Sequence, residues 1–493
     1  MIVGLFALGI GPFVLTAGSL VYFGTSRTIM PDVTVGGVPV GAMTQEQARR
    51  YLDQTWNEQY QLSAVDLQDP TRTWVVLPGE FGLRVDSRTS AANAVKLIQA
   101  GDVLKSASQM LAVLRDGFDI QPVVSFDPAQ AQDAYSSWES KLRRPAHDAE
   151  LSIDAGQIRI EPAETGWQLD IPSSIEMIAD DPSAMLLEHR MIPFVMRPVA
   201  AGRPDVSEVA AKIERVLSAP PVLEAYDPVS DEFLRWSPDR LELASWLQMH
   251  HEEPEITYTV DGQRVDEFIA RSMNELGPER EFDPGQAHDS LLAQIAGEGG
   301  DLLIIRYLPT KYRVQAGDQW ISLSFRIGMP YWKLQDANPT AVRQGLIPGE
   351  EIVIPPRDAM FTLPVIPGKR IIVDLSEQRM WVYEDGALRV EHVVSTGIPD
   401  SPTMPGIFQI STHELNAYAS IWDLYMPHFM GIYDAVPGLT NGIHGLPMLS
   451  SGRRLWANVL GRPASFGCII LDLEAAEELY NWAEDGVVVA IQE

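Results

Sequence analysis

The sequence predicts a multidomain protein: an N-terminal transmembrane helix, α+β stalk modules, a small βααβ module and a mostly-β, sandwich-like C-terminal domain. Three observations predict it. The chain has 493 residues, and domains run to roughly 100–200 residues, so several cores are expected. Residues Met1 to Gly24 carry no charged side chain, and about 20 apolar residues cross a bilayer. From Lys369 onward, short apolar runs alternate with Gly/Pro turns and frame one helical stretch, the pattern of a β-rich domain.

Composition narrows the function class. With 45% hydrophobic and 21% charged residues the chain is globular. A net charge of −30 repels phosphate backbones, so nucleic acid is not an expected partner. A single cysteine makes no internal disulfide, and stability must come from packed cores.

Taken in order, residues 1–24 are expected to be the anchor. Leu, Val, Ile and Phe dominate, and the basic flank of a cleaved signal peptide is missing; Ala17-Gly18-Ser19 keeps cleavage as the alternative. Arg27 alone does not set the orientation. Residues 31–203 and 204–306 read as two α+β stalk regions. Val33 to Gly41 has a Gly36-Gly37 turn between apolar residues, a short hairpin. Thr44-Gln45-Glu46-Gln47 is a capping box opening a helix to about Trp56. A faint duplication runs through both regions. Asp69-Pro70, then Arg72-Thr73-Trp74 and Pro78, is echoed by Asp227-Pro228, Leu234-Arg235-Trp236 and Pro238. It reads either as a tandem repeat or as two instances of a common α+β unit. His250-His251-Glu252-Glu253 reads as a solvated charged face, because adjacent residues on a regular element point apart.

Residues 310–356 parse as strand, helix, helix, strand. Gly317-Asp318 supplies a turn with a helix cap, and the closing apolar alternation ends at Pro355-Pro356. The run Tyr312 to Trp320, Ile327-Gly328, Asn338-Pro339 and Leu346-Ile347-Pro348-Gly349 resembles a LysM module. That resemblance implies binding of N-acetylglucosamine-containing glycan. Met329-Pro330-Tyr331-Trp332 adds bulky residues that stack on sugars or fill a small core. The region before it resembles, more diffusely, the peptidoglycan-binding modules of bacterial wall enzymes. Residues 357–369 are a proline-rich linker, stiff enough to hold the module away from the last domain.

Residues 370–493 hold the candidate chemistry. Cys468, the only cysteine, follows Ser465-Phe466-Gly467, and Ile443-His444-Gly445 lies upstream. A lone Cys with a His in an enzyme-sized chain is a candidate nucleophile and base, because imidazole lowers the thiol pKa and a thiolate attacks carbonyls readily. Taken alone, a lone Cys is most often a buried small hydrophobe, and a lone His near strands is most often a satisfied structural group. A metal site of His413, His428, His444 and Cys468 has no ligand-spacing signature, and neither a metal nor another cofactor is expected.

The marks Val373 to Gln378, Val394-Ser395-Thr396-Gly397, Pro402-Thr403-Met404-Pro405-Gly406, Met426-Pro427, His444-Gly445 and Ser465-x-Gly467-Cys468 together resemble the YkuD-type L,D-transpeptidase catalytic domain. The resemblance implies that Cys468 is the acyl-accepting nucleophile and His444 its general base. It implies site support from Gly445, Ser465 and Gly467, with backbone amides near Gly467 and Cys468 holding the oxyanion. The substrates implied are peptidoglycan stem peptides and glycan strands, outside the membrane of a bacterial cell. Two positions depart from the family pattern. Phe466 stands where His is frequent, and Ile470 where Arg or Asn is common. The task of binding a substrate carboxylate then falls to Arg453, Arg454 or Arg462 in the intervening loop. An L,D-carboxypeptidase and a wall-binding scaffold with a degenerate domain are the alternative readings.

Overall fold

The computed structural model describes residues 28–97, 116–436, 438–454 and 458–493. The expected anchor at residues 1–24 lies outside them. Among the described residues no helix is long and apolar enough to cross a membrane. The chain divides into two compact units. One holds residues up to Leu151, Ile160–Glu208 and Glu253–Glu255; the other holds Ser152–Arg159, Val209–Glu252 and Ile256–Glu493.

In the first unit the Gly36-Gly37 hairpin forms, with φ of +60° and +79° at the two glycines. The Thr44 capping box closes both ways: Gln47 N–H donates to Thr44 Oγ1 at 3.3 Å, and Thr44 N–H donates to Gln47 Oε1 at 2.9 Å. Strand Leu62–Asp66 pairs antiparallel with Thr73–Val76 and parallel with Met191–Phe194. Asp66 is fully buried and caps the turn between them, accepting from Gln68 N–H at 2.9 Å and Asp69 N–H at 3.2 Å.

The second unit repeats that arrangement. Strand Leu223–Asp227 pairs antiparallel with Glu232–Trp236 and parallel with Leu303–Ile304. Fully buried Asp227 accepts from Val229 N–H at 2.9 Å and Ser230 N–H at 3.2 Å. Helices Pro128–Leu142 and Ile171–Asp180, capped by Asp127 and Asp170, answer to Gly262–Glu275 and Pro284–Ala296, capped by Asp261 and Asp283. The motif is therefore duplicated, but its register differs from the sequence echo: Asp66, not Asp69, is the counterpart of Asp227. The buried carboxylate, with its Asx turn, defines the repeat.

The LysM region has the expected outline. Strands Thr310–Arg313 and Glu351–Ile354 pair antiparallel around helices Trp320–Ile327 and Tyr331–Ala337, with a short third helix, Pro339–Gln344. Asp318 does not cap the first helix. Its carboxylate turns back to Gln315 N–H at 2.8 Å and pairs with Arg326, and Gln319 stands at the cap. Asn338 welds helix to strand, donating to Leu334 and Val353 carbonyls and accepting from Val353 N–H.

The C-terminal domain is two packed sheets. We label its strands β1 (Lys369–Asp374), β2 (Arg379–Glu384), β3 (Ala387–Val393), β4 (Gly406–Gln409), β5 (Thr412–Ala419), β6 (Leu424–Val436), β7 (Leu439–Gly445), β8 (Met448–Leu449), β9 (Ile469–Leu471) and β10 (Val488–Gln492), with one helix, α1 (Leu473–Trp482). The first sheet runs β3-β2-β1-β10-β4, and the second β5-β6-β7-β9 with β8 on β6. Val373, Val382, Phe408, Met430, Ile443, Ile469 and Val489 fill the space between them. Asp472 caps α1 through Glu474 N–H.

The proline-rich linker does not hold the LysM region away. Buried Gln409 accepts from Thr362 and Leu363 N–H and donates to the Leu363 carbonyl, laying that segment on the sheet. Phe325, Tyr331 and Trp332 of the LysM region pack against the core of the C-terminal domain. Extended proline-rich backbone has free peptide groups, and a buried glutamine satisfies them.

Candidate active site

Cys468 and His444 come to line one cleft because β7 and β9 pair in parallel, with Ile443 opposite Ile469 and His444 opposite Ile470. Cys468 immediately precedes β9, on a turn where Gly467 has φ +113°. A Cβ at Gly467 would also lie 2.5 Å from Asn441 Nδ2, so both conformation and space require glycine there. Ser465 closes the turn. Its hydroxyl donates to the Cys468 carbonyl at 2.6 Å and accepts from Gly467 N–H at 3.1 Å. Gly467 N–H is thereby occupied, which removes one of the two amides expected to face an oxyanion. Gly442 N–H instead approaches the thiol.

The turn rests on the segment 394–403. Ser465 N–H donates to the Thr396 carbonyl, and Ile398 N–H to the Ser465 carbonyl, both at 3.0 Å. Thr403 Oγ1 donates to the Gly467 carbonyl at 2.8 Å and accepts from Gly397 N–H at 2.9 Å. Buried Gln378, at φ +49°, accepts from Thr396 N–H and donates to Thr396 Oγ1. These residues were visible in the sequence as motif marks; their work as a cradle was not.

His444 is buried, and its Nδ1 lies 2.7 Å from the Gly445 carbonyl. That contact places the proton on Nδ1 and leaves Nε2 as the basic nitrogen. Gly445 thus contributes its carbonyl. Burial lowers the His444 pKa to about 4, against a smaller rise from the Gly445 carbonyl. Burial pushes the Cys468 thiol up to about 11, and Gly442 N–H opposes the rise. Near neutral pH the resting pair is a neutral thiol beside a neutral imidazole. Cys468 Sγ is 3.7 Å from Asn441 Oδ1, and Asn441 Nδ2 donates to Tyr433 Oη at 3.3 Å. Neither Asn441 nor Tyr433 is marked by any sequence motif.

Cys468, His444, Asn441, Ser465, Phe466 and Trp422 line one cleft of about 440 Å³, open mouth included. That volume is within the ordinary range for small-ligand sites. Phe466 stacks on Trp422 at 5.3 Å and 10°, so the residue at the family's histidine position forms a wall. Ile470 is fully buried. Arg453, Arg454 and Arg462 are exposed, and none is among the described residues that line the cleft. Arg454 donates to the Leu446 carbonyl at 2.6 Å. His413 and His428 flank Tyr480 of α1 instead of the thiol. In the stalk, His250 Nε2 lies 2.8 Å from Thr259 Oγ1.

Residues 368–491 match the L,D-transpeptidase catalytic domain family, YkuD. Residues 312–355 match the LysM domain family, and residues 74–185 a peptidoglycan binding domain family. The chain therefore carries three regions that match, in order, a peptidoglycan binding domain model, a LysM domain model and an L,D-transpeptidase catalytic domain model. Solved structures matched by part of the chain include an L,D-transpeptidase from Stackebrandtia nassauensis, 24% identical over 27% of this chain and 58% of that one, TM-score 0.22. Another is an L,D-transpeptidase from Mycobacterium smegmatis, 19% identical over 26% and 59%, TM-score 0.22. A third is a mutant of the Enterococcus faecium L,D-transpeptidase, 16% identical over 58% and 99%, TM-score 0.29. The first two matches span under three fifths of those chains. No curated protein matches.

Proposed function

We propose that the chain is a cell-wall L,D-transpeptidase that forms peptidoglycan cross-links through a cysteine acyl-enzyme. The observation that carries the reading is the placement in one cleft of His444, on β7, and Cys468, on the turn that enters the paired strand β9, with Nδ1 of the histidine tied to Gly445. His444 Nε2 takes the thiol proton as Sγ attacks the carbonyl carbon of the third residue of a stem tetrapeptide. The C–N bond to the terminal D-Ala breaks, and the proton passes to the departing amine. An amine of a neighbouring stem then attacks the thioester, loses its proton to His444, and the thiol is regenerated. Water as acceptor would make the enzyme an L,D-carboxypeptidase. On this reading the Cys468 amide donates to the developing oxyanion. The LysM and peptidoglycan-binding regions hold the chain on glycan strands, and the uncharged run 1–24 anchors it to the membrane with the remainder outside the cell.

Carbapenem acylation tests the nucleophile. Intact mass should show one adduct on the wild type and none on Cys468→Ala. A wild type that takes no adduct refutes the enzyme reading and favours a wall-binding scaffold. A tetrapeptide donor, with and without an acceptor amine, separates cross-linking from hydrolysis.

A further inference from the structure

The aromatic pair Tyr331-Trp332 is not spent on the LysM core, which is built from Val314, Leu323, Met329, Leu334, Ile352 and Ile354. Both residues turn to the catalytic core. The Trp332 ring lies 5.4 Å from that of Tyr433 on β6, and Phe408 of β4 covers Tyr433 at 4.8 Å. Tyr433 is thus clamped between one LysM residue and one catalytic-domain residue. Pro330 Cδ would lie 3.2 Å from a Cβ at Gly406, so the two surfaces are in close contact beside that clamp.

Tyr433 reaches the nucleophile. Its hydroxyl oxygen accepts from Met404 N–H at 3.0 Å and from Asn441 Nδ2 at 3.3 Å. The second bond fixes the Asn441 amide with its oxygen toward Cys468, and Sγ donates to it at 3.7 Å. Tyr433, Met404 and Asn441 are buried, and Cys468 and Trp332 are half-buried as whole residues. Sγ has one rotatable bond to its backbone, so the acceptor it faces decides where its lone pairs point.

We infer that the LysM region is a working part of the active site: Trp332 is a positioning residue that acts through Tyr433 and Asn441 on the Cys468 thiol. The inference rests on Cys468 as nucleophile for its catalytic consequence, but the thiol's environment is measurable without it. A module that only tethers the enzyme would leave that environment untouched.

The test uses the full chain and follows iodoacetamide alkylation of Cys468 from pH 7 to 10, alongside the rate of acylation by a tetrapeptide donor. Trp332→Ala should shift the alkylation profile to lower pH and slow acylation about tenfold, chiefly in kcat, since small misplacement of a reacting group is costly. Trp332→Phe should restore both. Tyr433→Phe keeps the packed ring and removes only the hydroxyl; it should reproduce the alkylation shift, whether or not Trp332→Ala folds well. Wild-type alkylation profiles in Trp332→Ala and Tyr433→Phe overturn the inference. Shifted profiles in a protein that no carbapenem acylates would leave the coupling standing and refute the proposed function instead.

Discussion

The resting state of Cys468 has a measurable consequence. If the thiol is held near 11 and His444 near 4, no thiolate–imidazolium pair forms in advance, and the proton moves only as the carbonyl is attacked. The perturbation is pH, and the probe is iodoacetamide, which reacts with thiolate and finds a single cysteine in the chain. At pH 8 an ordinary thiol with the reference value of 9.0 is about 10% thiolate, whereas one at about 11 is about 0.1%. The hundredfold deficit is partly offset, because a more basic thiolate is about tenfold more nucleophilic. Folded protein should then alkylate about tenfold more slowly at pH 8 than the same cysteine in urea. The logarithm of the rate should climb with unit slope from pH 7 to 10 without inflection. His444→Ala should leave this profile nearly unchanged while acylation by a tetrapeptide donor falls by about 10² or more, since alkylation needs no proton acceptor. A plateau or inflection below pH 9 refutes the reasoning, because it marks a thiolate already formed in the resting enzyme.

Two further outcomes follow from the packing. Gly467→Ala forces a side chain into positive φ and against Asn441; it should cost about 1–3 kcal/mol locally and abolish acylation, and wild-type carbapenem acylation would show that the turn tolerates the strain. Arg370 of β1, 7% exposed, donates to the Pro228 and Val229 carbonyls at 2.9 and 2.8 Å. Arg370→Met strands two buried acceptors at about 1–3 kcal/mol each, so thermal melting should fall and amide exchange around Asp227 should rise. Unaltered melting and exchange would mean that this contact contributes little.

The legible parts of the chain were those whose signal is local. The Thr44 capping box, the Gly36-Gly37 hairpin, the LysM outline and the Asp472 cap each depend on residues within a few positions of one another. The Ser465-x-Gly467-Cys468 turn is local in the same sense. The duplication was half legible: its strands echo in sequence, but its register is set by buried Asp66 and Asp227, whose burial no pattern of types announces. Asp318 departs from the expected helix cap for a related reason, since a carboxylate after a glycine caps forward or backward with equal local sense.

By itself, the sequence pointed to an order of modules and to Cys468 as the candidate nucleophile, because backbone periodicity, turn residues and an unrepeated cysteine are written in consecutive positions. Only the tertiary structure decided what surrounds that cysteine. Pairing of β7 with β9 brings His444 and Cys468 into one cleft. The segment 394–403 becomes the cradle of the turn. Trp332 reaches Tyr433 and, through it, Asn441. The physical reason is separation: most of these contacts join residues tens of positions apart, and their partners are chosen by which sheet faces pack together, not by their neighbours in the chain.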